Sequence, residues 1–213
     1  MNTFNVLVVE RHRMNTDGKG VTTLVVLSGC PLKCEYCINK RLLTDVKSDI
    51  VTPEELLDII LIDYCYFYAT GGGVTFGGGE PLLHSKAIVD FVELLPNSIS
   101  LNIETSLNVP MKNILDIINN EKVMERLGEI YIDIKSLNSE IYESYTKLSI
   151  DRLLKGLEAI VERGLQHKCK IRIPNIKNYT TFSDIDDSIK QIREMGFNNI
   201  DTFDYIMKEE VTE

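Results

Sequence analysis

Apolar, β-branched runs alternate with amphipathic helical segments along almost the whole chain, and this alternation restricts the fold more than any other feature of the sequence. Residues 21–27 (VTTLVVL) are continuously apolar or β-branched, as a strand buried on both faces requires. Thr52, Pro53, Glu54 and Glu55 then combine an N-cap hydroxyl, a proline at the first helical position and two acids in the first turn. This combination predicts the start of a helix.

The same alternation continues through the rest of the chain. The predicted strands cover residues 21–27, 73–76, 100–104, 129–135, 168–174 and 199–206. The predicted helices cover residues 52–62, 85–95, 111–127, 151–164 and 181–195. Repeated strand–helix units build a parallel sheet, and six such units fit in 213 residues, whereas a complete eight-fold barrel needs about 250. The pattern therefore predicts an α/β fold and leaves two shapes, an open doubly wound sheet and a partial (β/α)6 barrel.

The charge balance and the cysteine count limit the classes of function. The chain has 23 Lys and Arg against 32 Asp and Glu, a net charge of −9, so no basic surplus exists to displace counterions from a nucleic-acid backbone. No apolar stretch reaches the roughly 18 residues of a membrane span, and the N-terminus lacks the features of a signal peptide. Five cysteines cannot all pair. We therefore expect a cytoplasmic protein with no nucleic-acid or membrane partner, in which clustered cysteines bind metal or take part in catalysis.

Three cysteines follow the first predicted strand. Cys30, Cys34 and Cys37 have the spacing C-x3-C-x2-C, and three thiolates within eight residues can converge on one metal centre. An iron–sulfur cluster takes up to four cysteine ligands, so three would leave one iron open to another ligand. A zinc site would normally have a fourth Cys or His nearby, and Cys65 and His84 are far away in sequence. The spacing alone favours an iron–sulfur cluster and leaves zinc and free thiols as alternatives.

Glycines and charged residues end the later strands, where parallel sheets gather their ligands. In chain order these are Gly78, Gly79, Glu80 and Pro81 after the second strand, Glu104 and Thr105 after the third, Asp133 and Lys135 after the fourth, and Arg172 in the fifth. Glycines permit close approach of the backbone to a ligand, a carboxylate accepts from an ammonium group, and a lysine attracts a ligand carboxylate. Taken singly, each has an ordinary alternative: a glycine-rich turn, a solvent-facing charge, or a barrel-internal ion pair of Arg172 with Asp133 or Glu104.

Taken together, these motifs resemble those of the radical S-adenosylmethionine (radical SAM) superfamily. The loop C-x3-C-x-aromatic-C, in which Tyr36 is the aromatic residue, looks like the cluster motif of that family, and residues 78–81 look like its GGEP motif. The strings TDGKG at 16–20 and GCPLKCEYCIN at 29–39 are similar to the N-terminus of the activating enzymes of glycyl radical enzymes. The resemblance implies a partial (β/α)6 TIM-like barrel, a single radical SAM core domain over residues 1–213 in which residues 1–20 form an N-terminal extension.

The resemblance also implies the cofactors and their contacts. Cys30, Cys34 and Cys37 would hold a [4Fe-4S] cluster whose fourth iron is chelated by S-adenosylmethionine (SAM). The GGEP motif would contact the amino group of SAM, and Lys135 its carboxylate. The further residues expected to contact or border the cofactor are Tyr36, Glu104, Thr105, Asp133 and Arg172. Some members of the family bind a monovalent cation at the positions that correspond to Glu104 and Asp133, although Glu104 stands where relatives commonly have Asp.

The activity that the resemblance implies is reductive cleavage of SAM to a 5′-deoxyadenosyl radical, which removes a hydrogen atom from a glycine of a partner glycyl radical enzyme. An electron donor such as flavodoxin or ferredoxin, a monomeric state and oxygen sensitivity are expected with it. Many relatives carry a ferredoxin-like insert before the GGEP motif, and this chain has only Cys65 there. Its short C-terminal region predicts a wide lateral opening suited to a protein or peptide substrate. The alternatives are a radical SAM enzyme that modifies a ribosomal peptide or a small molecule, such as a deazapurine synthase, and a non-catalytic metal-binding module.

Overall fold

The computed structural model of the chain describes residues 2–205. The strands of its one sheet are β1 (Phe4–Met14), β2 (Val21–Leu27), β3 (Asp49–Val51), β4 (Gly73–Gly78), β5 (Ser100–Thr105), β6 (Leu127–Asp133), β7 (Cys169–Asn175) and β8 (Ile200–Asp204). The α-helices are α1 (Lys40–Asp45), α2 (Pro53–Leu61), α3 (Tyr64–Thr70), α4 (Ser85–Leu94), α5 (Met111–Ile118), α6 (Glu121–Arg126), α7 (Ser139–Thr146), α8 (Asp151–Glu162) and α9 (Phe182–Glu194).

The strand order distinguishes the two shapes that the sequence leaves. The order is β3-β1-β2-β4-β5-β6-β7-β8, with β2 and β4 to β8 parallel to one another and β1 antiparallel to both of its neighbours. The six parallel strands follow one another in chain order, so right-handed crossovers place their helices on one face of the sheet. A doubly wound sheet reverses its order at a switch point instead. The six-unit partial barrel is therefore confirmed, as an open sheet extended by β1 and β3.

Several element predictions are wrong in detail. Within the expected extension of residues 1–20, the strand β1 is not predicted; only Phe4 and Val6 in it are buried, so its sequence carries little burial pattern. The short strand β3 and helix α7 are not predicted at all. The predicted helix 111–127 breaks after Ile118, because Asn120 caps α6 by accepting from the Val123 amide at 3.0 Å. The predicted strand 199–206 ends at Asp204, and residue 206 lies outside the described residues.

An aromatic cluster holds β1 to the rest of the barrel. The ring of Phe4 stacks on that of Phe76 in β4 with 5.2 Å between centroids, and Phe91 of α4 packs edge-on against both. All three side chains are fully buried. Burial of three phenylalanines stabilises the fold by about 5–9 kcal/mol relative to exposure, so the strand that precedes the motifs is part of the core.

The two faces of the parallel strands differ in chemistry because successive side chains point in opposite directions. Ile103, Ile132 and Ile171 face the helices and are fully buried. The residues that follow them in each strand, Glu104, Asp133 and Arg172, face the barrel interior, which we call the lumen, and form a hydrogen-bonded group there. The lumen face of these strands is therefore charged, whereas the face toward the helices is apolar.

The loop of residues 16–20 closes the amino end of the lumen. Asp17 is fully buried, and its carboxylate accepts from Thr22 Oγ1 at 2.7 Å and from Arg13 Nε at 2.7 Å. Its backbone carbonyl accepts from Thr75 Oγ1 at 2.6 Å. A Cβ on Gly18 would lie 2.4 Å from the Asn102 side chain, so the loop approaches β5 too closely for any larger residue.

A second buried carboxylate joins β1 to α3. Asp63 is fully buried and accepts from Arg11 Nε at 2.8 Å, from Thr23 Oγ1 at 2.9 Å and pairs with His12 Nε2 at 3.0 Å. The hydrogen bond from Arg11 is the largest of the effects that lower the pKa of Asp63. Asp63 is therefore held as a carboxylate at neutral pH.

We predict that Asp63→Asn lowers the free energy of unfolding at pH 7 by about 1–3 kcal/mol, the range for a hydrogen bond to a charged group. A carboxylate with a lowered pKa contributes stability above its unfolded-state pKa and loses it as the pH falls through the folded-state pKa. The difference between wild type and variant should therefore shrink below about pH 4. Urea unfolding at pH 7 and pH 3 measures it, with the exposed Asp58→Asn in α2 as the control; an equal difference at both pH values would contradict the prediction.

Candidate active site at the carboxyl ends of the strands

The residues that the sequence singles out lie on five neighbouring strands. The cysteine loop follows β2, the glycine-rich segment follows β4, and the charged residues lie at the carboxyl ends of β5, β6 and β7. Because these strands are parallel, all five ends meet at one edge of the sheet. The fold therefore brings the predicted groups to a common site.

Backbone hydrogen bonds join the cysteine loop to the glycine-rich loop. The amide of Gly79 donates to the Leu27 carbonyl at 2.9 Å, and the amide of Glu80 donates to the Gly29 carbonyl at 2.7 Å. On the other side of the cysteines, the Asn39 side chain donates to the Gly78 carbonyl at 2.8 Å. The loop that carries the cysteines is thus fixed to β4 both before and after them.

Close packing makes glycine necessary at this junction. A Cβ on Gly79 would lie 2.2 Å from the Gly29 carbonyl oxygen, and one on Gly78 would lie 2.3 Å from Val26 Cγ1. Gly78 also has a φ of +94°, in the left-handed region that favours glycine. One residue earlier, a Cβ on Gly77 would lie 2.7 Å from Glu104 Oε2. Any side chain at position 77 would therefore crowd the charged residues of the lumen.

The three cysteines are free thiols of intermediate exposure. Burial, with smaller contributions from the neighbouring Glu80, Cys34 and Cys37, raises the pKa of Cys30 to about 12. Burial likewise raises the pKa of Cys34 to about 11, although the nearby ammonium group of Lys135 opposes the increase. The charges of the other two thiols and of Glu80 thus act on Cys30, and that of Lys135 acts on Cys34.

This donor set fits an iron–sulfur cluster. In residues 2–205, no three His, Cys, Asp or Glu side chains form a group that could hold a single metal ion. Thiolates that hold a cluster bind separate irons, so they need not converge on one point. Three unpaired cysteines in one loop, with Cys34 near Lys135, would supply thiolate ligands for three irons and leave a fourth iron open to another ligand.

Glu80 is the most enclosed charged group of the site. Its side chain is fully buried, and each carboxylate oxygen accepts two hydrogen bonds. Oε1 accepts from Thr105 Oγ1 at 2.6 Å and from the Leu82 amide at 3.2 Å; Oε2 accepts from Ser106 Oγ at 2.6 Å and from its amide at 2.9 Å. Burial raises the pKa of Glu80, and the Ser106 and Thr105 donors oppose this. Because its lone pairs are occupied, Glu80 holds the loop after β4 to the end of β5.

The lumen face contains a second charged group. Arg172 donates from Nε to Asp133 Oδ1 at 2.6 Å and from Nη1 to Glu104 Oε1 at 2.8 Å, and its guanidinium lies 5.2 Å from the centre of the Tyr131 ring. Lys135 Nζ lies 3.5 Å from Asp133 Oδ2. Burial raises the pKa of Asp133, but Lys135 and Arg172 together lower it below its usual value. The structure therefore contains the barrel-internal ion pair that the sequence left as an alternative for Arg172. The guanidinium pairs with Asp133 and Glu104 at the same time.

Three functional contacts are not among the sequence predictions. Ser106 supplies two of the four donors to Glu80, and Asn39 fixes the cysteine loop. The ring of Tyr36 packs against those of Tyr145 and Tyr179, with centroids 6.1 and 6.0 Å away. The position of Ser106, directly after two predicted site residues at the end of β5, is the one local signal that could have identified it.

Comparison with protein-family models identifies the family of the chain. The model of the radical SAM superfamily matches residues 24–192. This range begins in β2 and ends in α9, so it contains the cysteine loop and every strand end described above.

Curated relatives include activating enzymes. The chain is 33% identical over 147 residues to the pyruvate formate-lyase-activating enzyme of Clostridium pasteurianum, a match that covers 68% of this chain and 59% of the relative. It is 28% identical over 224 residues to the (2S)-3-sulfopropanediol dehydratase activating enzyme of Klebsiella oxytoca, covering 76% of this chain and 68% of that one. The matched part thus spans about three fifths to two thirds of the length of these two relatives.

Solved structures share the fold at low sequence identity. SuiB of Streptococcus suis superposes with a TM-score of 0.66 at 16% identity, covering 89% of this chain and 41% of SuiB. The protein anSMEcpe with bound S-adenosylmethionine superposes with a TM-score of 0.63 at 18% identity, covering 87% of this chain and 50% of that one. These similarities support the partial-barrel fold.

We predict that Gly79→Ala separates the glycine-rich loop from the cysteine loop. The new methyl group would meet two backbone carbonyls, those of Gly29 and Leu27, so the backbone must move, at a cost of about 1–3 kcal/mol in unfolding free energy. Because the cysteine loop takes its position from this contact, the iron and sulfide content per chain after anaerobic reconstitution should also fall. Gly71→Ala is the control, because a Cβ there meets nothing within 4 Å and costs only about 1 kcal/mol for its left-handed φ. Full iron content in Gly79→Ala would contradict the prediction.

Proposed function

Since the chain belongs to the radical SAM superfamily and is close to the activating enzymes of glycyl radical enzymes, we propose that it activates a partner enzyme of that kind. In this proposal it cleaves SAM reductively at a [4Fe-4S] cluster and removes a hydrogen atom from a glycine of the partner. The observation that carries the proposal is a loop with three free thiols that is hydrogen-bonded to the glycine-rich loop and holds Cys34 near Lys135.

The residues proposed to hold the cluster are Cys30, Cys34 and Cys37. Hydrogen bonds of Gly29 and Asn39 fix their loop to the glycine-rich loop before and after the three cysteines. When bound, the cluster and SAM together supply a 5′-deoxyadenosyl radical. The chain's own residues bind and orient these groups.

The glycine-rich loop and the residues at the strand ends are proposed to position SAM. Gly78, Gly79 and Pro81 form a close-packed loop for the amino end of the cofactor, and Glu80 holds that loop to Thr105. Lys135 is the cation proposed for the cofactor carboxylate, because its side chain is only 14% exposed and pairs loosely with Asp133. The residues proposed to border the cofactor are Tyr36, Glu104, Thr105, Asp133 and Arg172.

A protein substrate is proposed from the relatives rather than from the site. Two of them are named for the enzymes they activate, and a further structure of SuiB, similar in fold, contains its precursor peptide SuiA. A flavodoxin or ferredoxin as electron donor, a cytoplasmic location and a single core domain over residues 1–213 belong to the same proposal. No helix in residues 2–205 is long and apolar enough to cross a bilayer.

We predict that Cys34→Ala loses most of the brown absorbance near about 400 nm that iron–sulfur thiolate centres give, together with SAM cleavage, because one of three cluster ligands is removed. The measurements are the absorbance after anaerobic reconstitution and the 5′-deoxyadenosine formed with dithionite and SAM. Cys65→Ala is the matched control, since Cys65 is free, exposed and far from the site in sequence. Full absorbance in Cys34→Ala would contradict the ligand assignment. Wild-type protein that forms no 5′-deoxyadenosine would favour a non-catalytic metal-binding module.

The partner is tested separately. The reduced, SAM-loaded protein is mixed with a candidate glycyl radical enzyme from the same organism, and the glycyl radical is sought by electron paramagnetic resonance. We expect a radical signal that depends on SAM and on Cys34. Cleavage of SAM without that signal, together with a modified peptide or small molecule, would replace the activase proposal by one of the other radical SAM reactions.

A further inference from the structure

We propose that Arg172 supplies the positive charge between Glu104 and Asp133 from within the chain, so that SAM binds without a monovalent cation at that position. This inference rests on the proposed function, and it replaces the cation that the family resemblance implies by a guanidinium group. It makes Arg172 a positioning residue for the two carboxylates.

The geometry places the guanidinium between both carboxylates. Arg172 is paired with Asp133 in the β6–β7 register, and its Nε donates to that neighbour at 2.6 Å. Nη1 continues past β6 and donates to Glu104 of β5 at 2.8 Å. Only 19% of the Arg172 and Glu104 side chains is exposed. The Tyr131 ring, 5.2 Å from the guanidinium carbon, supports the group from below.

The length of Glu104 suits this arrangement. Glu104 and Arg172 lie on strands that flank β6, so they are two strand spacings, or roughly 9–10 Å of backbone, apart. A carboxylate one methylene shorter would withdraw from Nη1 by about 1.5 Å, beyond hydrogen-bonding distance. The glutamate that departs from the common aspartate is therefore the residue that lets Arg172 reach both acids.

The charges of the lumen balance without an added ion. The carboxylates of Glu104 and Asp133 face the cations of Arg172 and Lys135, and the more distant Asp17 is paired with Arg13. One oxygen of each carboxylate already accepts from Arg172, so an ion bound between them would have to displace the guanidinium. Lys135, 3.5 Å from Asp133, keeps donors for a ligand carboxylate.

The first test measures SAM binding to the reconstituted protein in potassium chloride and in choline chloride at equal ionic strength. We expect the wild-type dissociation constant to agree within about twofold between the two salts, because no potassium ion takes part in binding. Equal ionic strength keeps the general screening of charges the same in both salts. For Arg172→Ala in choline chloride we expect SAM to bind about tenfold more weakly than to the wild type, which is the loss for one charge-assisted contact. In potassium chloride we expect the affinity to recover, because potassium can replace the missing guanidinium. A wild-type constant fivefold or more weaker in choline would overturn the inference, and so would an Arg172→Ala defect that is equal in both salts.

The second test does not need the cofactors. The thermal midpoint of the metal-free protein is measured in both salts, because an ion that binds only the folded state raises the midpoint. Potassium should raise the midpoint of Arg172→Ala and leave the wild type unchanged. The midpoint of Arg172→Lys should respond only weakly to potassium, because lysine keeps the charge but cannot contact both carboxylates. This variant also provides the measurement if the alanine variant fails to fold. Lys170→Ala, on the same strand and paired at the surface with Asp201, is the matched control.

The two tests separate this inference from the proposed function. If the wild type binds no SAM in either salt, the proposed function fails, while the thermal midpoints still decide the role of Arg172. A potassium response of the wild-type midpoint that matches that of Arg172→Ala would overturn the inference even if SAM cleavage is normal.

Discussion

The site depends on the junction between the cysteine loop and the glycine-rich loop. Two amide-to-carbonyl hydrogen bonds, from Gly79 to Leu27 and from Glu80 to Gly29, continue the β2–β4 pairing past the ends of both strands. Each exchanges a hydrogen bond to water for one within the chain, so its net contribution is about 1 kcal/mol. Its larger effect is geometric, because the cysteines follow Gly29 directly and take their position from β4.

Glu80 extends this junction to a third strand. Its buried carboxylate would be strongly unfavourable without partners. Three donors from Thr105 and Ser106, at the end of β5, and a fourth from the nearby Leu82 amide supply them. The chain thus uses a charged residue of its best-known motif to connect strand ends.

The strand–helix alternation was sufficient to predict six strand–helix units, because parallel strands buried on both faces have a continuous apolar pattern. It left an open doubly wound sheet and a partial barrel as alternatives, which the strand order distinguishes. It was insufficient for β1, since the aromatic contact of Phe4 that holds this strand involves Phe76 and Phe91, far away in sequence. Motifs identified the residues at the strand ends. They could not show that Arg172 reaches Glu104 across an intervening strand, because that contact depends on register and side-chain length together.

The loop of residues 16–20, which closes the amino end of the lumen, affects how the lumen charges act on an approaching ligand. Buried dipoles of Thr22, Thr75 and Asn102 fill that end, and they cannot rearrange as salt ions in solution do. Screening by dissolved salt therefore reaches Glu104, Asp133, Arg172 and Lys135 mainly from the carboxyl end. The charges of this group therefore act mainly on a ligand that approaches from the carboxyl ends of the strands.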